Sequence, residues 1–173
     1  MLLHKLMHNP VTAYLRRPMN ADCAKLLLRL VVGAVFIYHG KMKLFGMSVP
    51  MGGGEAVSNL SKTVAFFDKL NIPFPEIMAP FIGSLEFFGG ILLILGLAVR
   101  LLGALYVCNM AVAIMTAKGG FANWGKIELE MMLLVTSLGL VLMGGGAYAL
   151  DAKLMKKGMG EHDAAMPMAA PKA

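Results

Sequence analysis

The chain is short of charge and of cysteine. Only 15% of its 173 residues are Asp, Glu, Lys or Arg, against 58% hydrophobic, too little polar side chain to cover a water-facing domain of this size. A mean hydropathy of +0.69 makes a lipid bilayer the natural solvent. The two cysteines, Cys23 and Cys108, stand far apart, so they form no CxxC pair and no disulfide framework and leave the redox compartment open. Walker loops, dinucleotide fingerprints, nucleophile elbows and CxxCH haem motifs are all missing, so no covalent or metal cofactor is indicated. Acidic residues are the scarcer sign, 10 against 16 basic, for a net charge of +6 and a pI near 9.4. The basic residues flank apolar runs instead of clustering on one polar element, which argues against nucleic acid and for lipid headgroups as the acidic partner. There is no internal repeat, and no GxxxG spacing marks a helix-dimer face.

What the chain has is apolar runs. A helix needs about 20 mostly apolar residues to span the hydrocarbon core, with about 17 to 25 tolerated. Four segments approach that length: Asp22 to His39, Ile77 to Val99 with Pro80 in its first turn, Leu101 to Ala117, and the shorter Glu128 to Met143. Arg100 is the only charge between the second and third, which predicts a tight helical hairpin. A secretory signal fits poorly, since the first run begins near Leu26, behind Pro10 and Pro18, and no small-residue cleavage site follows His39 and Lys41. The pattern predicts an all-α integral membrane four-helix bundle, with a cytoplasmic tail over 1–20, the transmembrane domain over 21–152 and a disordered tail over 153–173. An even number of spans puts both termini on one side. That side carries nine cations, Lys5, Arg16, Arg17, Lys25, Arg100, Lys153, Lys156, Lys157 and Lys172, and the other six, Lys41, Lys43, Lys62, Lys69, Lys118 and Lys126. The termini are therefore expected in the cytoplasm, at a bacterial inner membrane.

In the long outer loop, Val57, Leu60, Val64 and Phe67 recur at helical spacing among Ser61, Lys62, Asp68 and Lys69, which predicts an amphipathic helix on the membrane surface. Residues 2–14 predict a second, cut short by Pro10.

An ionisable residue within a span is a functional hypothesis by default. Arg29, Glu86 and the polar Asn109 are the three in question. At about 1.5 Å per residue, counting from the outer ends places Glu86 about 12 Å deep and Arg29 about 15 Å deep, with Asn109 level with them. They are expected to form one buried polar layer, as a proton relay or ligand site, or as a structural ion pair of Arg29 with Glu86. Above it, Tyr38, His39, Lys43, Trp124, Glu128 and Glu130 gather at the outer rim. They read either as a ligand pocket, with His39 able to bond a carbonyl, or as interfacial belt and snorkelling residues. Sixteen methionines raise a weaker copper reading, carried by Met47 and Met51 in the outer loop, His4 and His8, and the tail from Met155 with His162. Methionine is also ordinary filler in apolar helices.

The run Arg29-x3-Gly33-x2-Phe36-x2-His39-Gly40-x2-Lys43-x-Phe45-Gly46, then Glu86-x2-Gly89-Gly90-x-Leu92-x3-Gly96-Leu97, then Leu150-Asp151, resembles the DoxX family of small bacterial membrane proteins, over about residues 20 to 152. The resemblance implies a four-helix inner-membrane protein of the DoxX and DoxD-like group, whose relatives include the membrane subunit of an archaeal thiosulfate:quinone oxidoreductase and partners in redox or metal stress responses. It implies no uniform catalytic set. Three roles follow as expectations: a membrane subunit or partner of a quinone- or thiol-linked redox system, which needs a partner protein to supply electrons; a noncatalytic membrane scaffold; and copper handling.

Overall fold

The computed structural model describes residues 18–48 and 57–155. The expected N-terminal interfacial helix, Met51 and the methionine-containing tail beyond residue 155 lie outside the described residues. Helix α1, Pro18–Phe45, runs 28 residues, six further than its apolar run ends. Two-residue strands, β1 (Met47–Ser48) and β2 (Val57–Ser58), then pair antiparallel with Met47 opposite Ser58. Helix α2, Asn59–Lys69, follows at once, its first turn capped by the Ser58 hydroxyl, which accepts from the Leu60 N–H at 3.2 Å.

Helix α3, Pro75–Leu95, starts on a proline whose missing N–H is harmless at that position. Pro80 lies inside this helix, two residues deeper than expected, because Pro75 and Glu76 extend the helix upstream. The chain turns through Gly96 (φ 79°) and Ala98 (φ 50°) into α4, Val99–Thr116. A short 3-10 turn, Gly120–Asn123, leads into α5, Trp124–Met143, and residues 150–155 close the described chain as a helical turn. Among the described helices, α3 and α4 are long and apolar enough to cross a membrane. The other two long helices carry charges along their length: Asp22, Lys25, Arg29, Lys41 and Lys43 in α1, and Lys126, Glu128 and Glu130 in α5.

The long helices pack as two antiparallel pairs, α1 on α3 and α4 on α5. The first seam is made of glycines. A Cβ at Gly33 would meet the Gly90 carbonyl at 2.8 Å, one at Gly90 would meet the Gly33 carbonyl at 2.7 Å, and one at Gly40 would overlap the backbone of Gly83 and Phe87. Small residues let helices touch along their backbones where lipid offers no hydrophobic drive. Although joined by a tight turn, α3 and α4 pack only sparsely against each other, unlike the close hairpin expected from the sequence. One link between them is Tyr106, which stacks on Phe36 of α1 with centroids 3.7 Å apart and donates to the Leu85 carbonyl at 3.2 Å. Val32, Phe36, Leu93, Leu102, Tyr106 and Leu140 form the centre of the core.

Candidate functional site: a buried carboxylate under an apolar chamber

Glu86 lies halfway along α3 and is 2% exposed. Both carboxylate oxygens accept from Lys43 Nζ, at 2.6 and 2.7 Å, and Oε1 also accepts from Asn109 Nδ2 at 3.1 Å. A buried carboxylate this well supplied with donors is satisfied as an anion, since charge-assisted bonds offset its desolvation. The lysine comes from the last turns of α1. Gly40, one turn earlier, lets α1 approach α3 closely enough for the side chain to reach Glu86. Asn109 arrives from α4, so three helices converge on one carboxylate.

These groups form one wall of a cavity of about 970 Å³ between α1, α3, α4, α5 and α2. Phe36, Phe81, Ile82, Leu85, Leu105, Met110, Leu129 and Leu133 make most of it apolar, and α2 roofs it with Asn59, Lys62, Thr63, Phe66 and Phe67. A second ion pair, Lys118 Nζ to Glu130 at 3.0 Å, sits on its far side. Large apolar cavities with a few converging polar groups are where small molecules bind.

The structure brings Glu86 and Asn109 together and leaves Arg29 elsewhere. Arg29 is fully buried, and its guanidinium has no hydrogen-bond partner among the described residues. It packs under Gly96, where a Cβ would overlap Nη1, ten residues and hence about 15 Å along α3 from Glu86. The expected Arg29–Glu86 pair is therefore not formed; Lys43 takes that place. The carboxylate near Arg29 is Asp151, which accepts from the Ala98 and Val99 N–H groups at 3.0 and 3.2 Å and so caps α4, while its own N–H donates to the Gly96 carbonyl.

The expected rim divides. Lys43 turns inward, and His39 and Glu130 line the cavity. Tyr38 is 62% and Trp124 60% exposed, Glu128 is exposed as well, and none of these three lines the cavity. Met47 is 66% exposed, and no cluster of three His, Cys, Asp or Glu able to hold a metal occurs among the described residues. Sequence reasoning missed the lining role of Cys108 and the pairing of Lys118 with Glu130. The signal for Lys43 was present, one helical turn beyond His39, but a helix ending at His39 hides it.

Helices fit to cross a bilayer mark a small membrane protein, and the apolar chamber footed by Glu86 is its candidate site. The chain belongs to the DoxX family, whose model matches residues 24–119. It is 34% identical over 135 residues to a Bacillus subtilis protein named "Putative oxidoreductase CatD", covering 78% of this chain and 90% of that one. It is also 35% identical over 139 residues to an uncharacterized protein of Haemophilus influenzae, covering 75% and 90%, and 29% identical over 143 residues to an uncharacterized membrane protein of Mycobacterium tuberculosis, covering 75% and 80%. No solved structure matches the chain.

Proposed function

We propose that the chain is a four-span protein of the bacterial inner membrane, with both termini cytoplasmic, that binds a quinone for a redox system. The observation that carries this reading is the Glu86–Lys43–Asn109 cluster in the wall of an otherwise apolar cavity. A quinone is an uncharged ring with two carbonyl acceptors on an apolar tail. Lys43 and His39 supply the donors, and Glu86 and Lys43 hold a proton that either can carry. The charged groups in the cavity walls at membrane depth are mutually paired, which suits a ligand without net charge. The name of the Bacillus subtilis relative points to the same class of chemistry. In this reading a partner protein delivers the electrons.

The test is titration of a ubiquinone or menaquinone analogue into the protein reconstituted in liposomes. Saturable binding above the lipid background, weakened about tenfold or more in His39→Ala and Glu86→Gln, supports the proposal. Binding at background, or equal binding in both variants, overturns it and leaves the noncatalytic scaffold as the better account.

A further inference from the structure

We infer that the cavity is loaded sideways from the hydrocarbon, by a membrane-dissolved ligand passing between α3 and α4, while α2 closes it against water. The inference rests on the quinone reading for the ligand but on separate observations for the route. Those two helices are consecutive yet sparsely packed, so the wall between them is thin. The cavity-lining residues on that side are also exposed: Phe81 of α3 is 52% and Val112 of α4 51% exposed, and Cys108 of α4 is exposed too. Leu129 of α5 and Phe66 of α2 also line the cavity and are 49% and 45% exposed, so it is the sparse packing of α3 on α4 that singles out this side. Cys108 lies nine residues from the start of α4, about 14 Å from that end, and so opens at the middle of the bilayer instead of at the headgroups.

The water side is closed differently. The N-terminus of α2 is pinned to the end of α1, since the Asn59 N–H donates to the Gly46 carbonyl at 2.8 Å and Asn59 Nδ2 to the Met42 carbonyl at 3.0 Å. Its other end turns through Ile72, whose N–H donates back to the Phe67 carbonyl at 3.0 Å, and through Phe74 at φ 52° into α3, against which α2 packs. A ligand arriving from water would have to displace this helix. One arriving from lipid meets an existing gap.

The experiment uses the full chain with Cys23→Ser, which leaves Cys108 as the sole thiol, reconstituted in liposomes. Cys108 should react with an apolar pyrene maleimide and at least tenfold more slowly with a charged, membrane-impermeant methanethiosulfonate. A bound quinone analogue should slow the pyrene reaction several-fold, and a completed Cys108 adduct should abolish analogue binding. The control is Leu101→Cys in a chain also carrying Cys23→Ser and Cys108→Ser. Leu101 is 63% exposed on the same helix but does not line the cavity, so its adduct should leave binding intact. Equal reaction of Cys108 with charged and apolar reagents overturns the sideways route, as does unchanged analogue binding to the Cys108 adduct, and both can occur while the analogue still binds. If the apolar reagent is preferred as expected but no analogue binds the unlabelled protein, the quinone reading fails and the lipid-facing opening stands.

Discussion

At the scale of single residues, the candidate site is organised by one buried anion, Glu86. Glu86 has Lys43 and Asn109 within hydrogen-bond distance, and the lysine side chain is itself 30% exposed. The asymmetry predicts unequal mutants. Lys43→Met strands an anion that is almost wholly buried and is expected to cost about 3–5 kcal/mol of stability. In Glu86→Gln the lysine can swing toward water and Asn109 keeps a partner, so the expected cost is nearer 1–2 kcal/mol. The double variant should recover most of the loss of Lys43→Met, because replacing both members of a buried pair is often close to neutral. Thermal unfolding of the three purified variants checks the order; a Lys43→Met protein as stable as Glu86→Gln would contradict it. The importance of Glu86 was legible in the sequence, since it is the only carboxylate well inside an apolar run. Its partner was not. Counting depth from His39 put Arg29 level with Glu86, but α1 continues to Phe45, which moves the outer end up by six residues, or about 9 Å. That shift takes Arg29 away toward the Gly96 turn and brings Lys43 down onto Glu86.

At the scale of elements, the glycines of α1 and α3 decide how closely the two helices sit, and so whether Lys43 reaches across. A methyl group at Gly40 would overlap backbone atoms of α3 that have no rotamer to relax into. Gly40→Ala is accordingly expected to destabilise by about 2 kcal/mol or more and to weaken ligand binding by displacing the lysine. Gly125→Ala, in α5 with nothing within 4 Å of the added carbon, should be neutral or stabilising by up to about 1 kcal/mol. Comparable effects at the two sites would show that the seam is looser than described. Asp151 offers a second test. Asp151→Ala removes the cap on α4 and should cost about 1–2 kcal/mol. Asp151→Asn keeps an acceptor and should cost less; if it costs as much, the negative charge near Arg29 is the larger contribution. Helix α2 could be read from its period of apolar residues, and the observed Asn59–Lys69 lies within the stretch the pattern marks out. Strands of two residues carry no period, so the β1–β2 pairing that pins the start of α2 had no sequence signature. The pairing of helices was equally hidden: a tight turn between α3 and α4 suggested that they pack together, whereas the glycine spacing that joins α1 to α3 acts between segments far apart in the chain.

At the scale of the whole molecule, the four-span proposal turns on α1 and α5, whose charges separate them from the more apolar α3 and α4. The site geometry favours all four crossing. If α1 lay on the surface, Lys43 could not reach a carboxylate at the middle of α3, and if α5 did, Leu133 would not line the cavity beside Met110. Pairing Lys43 with Glu86 also neutralises one cation of the outer face, leaving five there against nine on the side of the termini and strengthening the expected orientation. Cys23, exposed in the first turns of α1, and Leu154, 61% exposed at the end of the described chain, report the two ends. In a chain with Cys108→Ser, a membrane-impermeant maleimide should label Cys23 in inverted inner-membrane vesicles and not in intact spheroplasts. A Leu154→Cys chain with both native cysteines replaced by Ser should behave identically. Labelling of both only in spheroplasts would reverse the orientation and keep the four spans. Labelling from opposite sides would require an odd number of crossings, so that one of α1 and α5 does not span, and the chamber around Glu86 would then face water along one side.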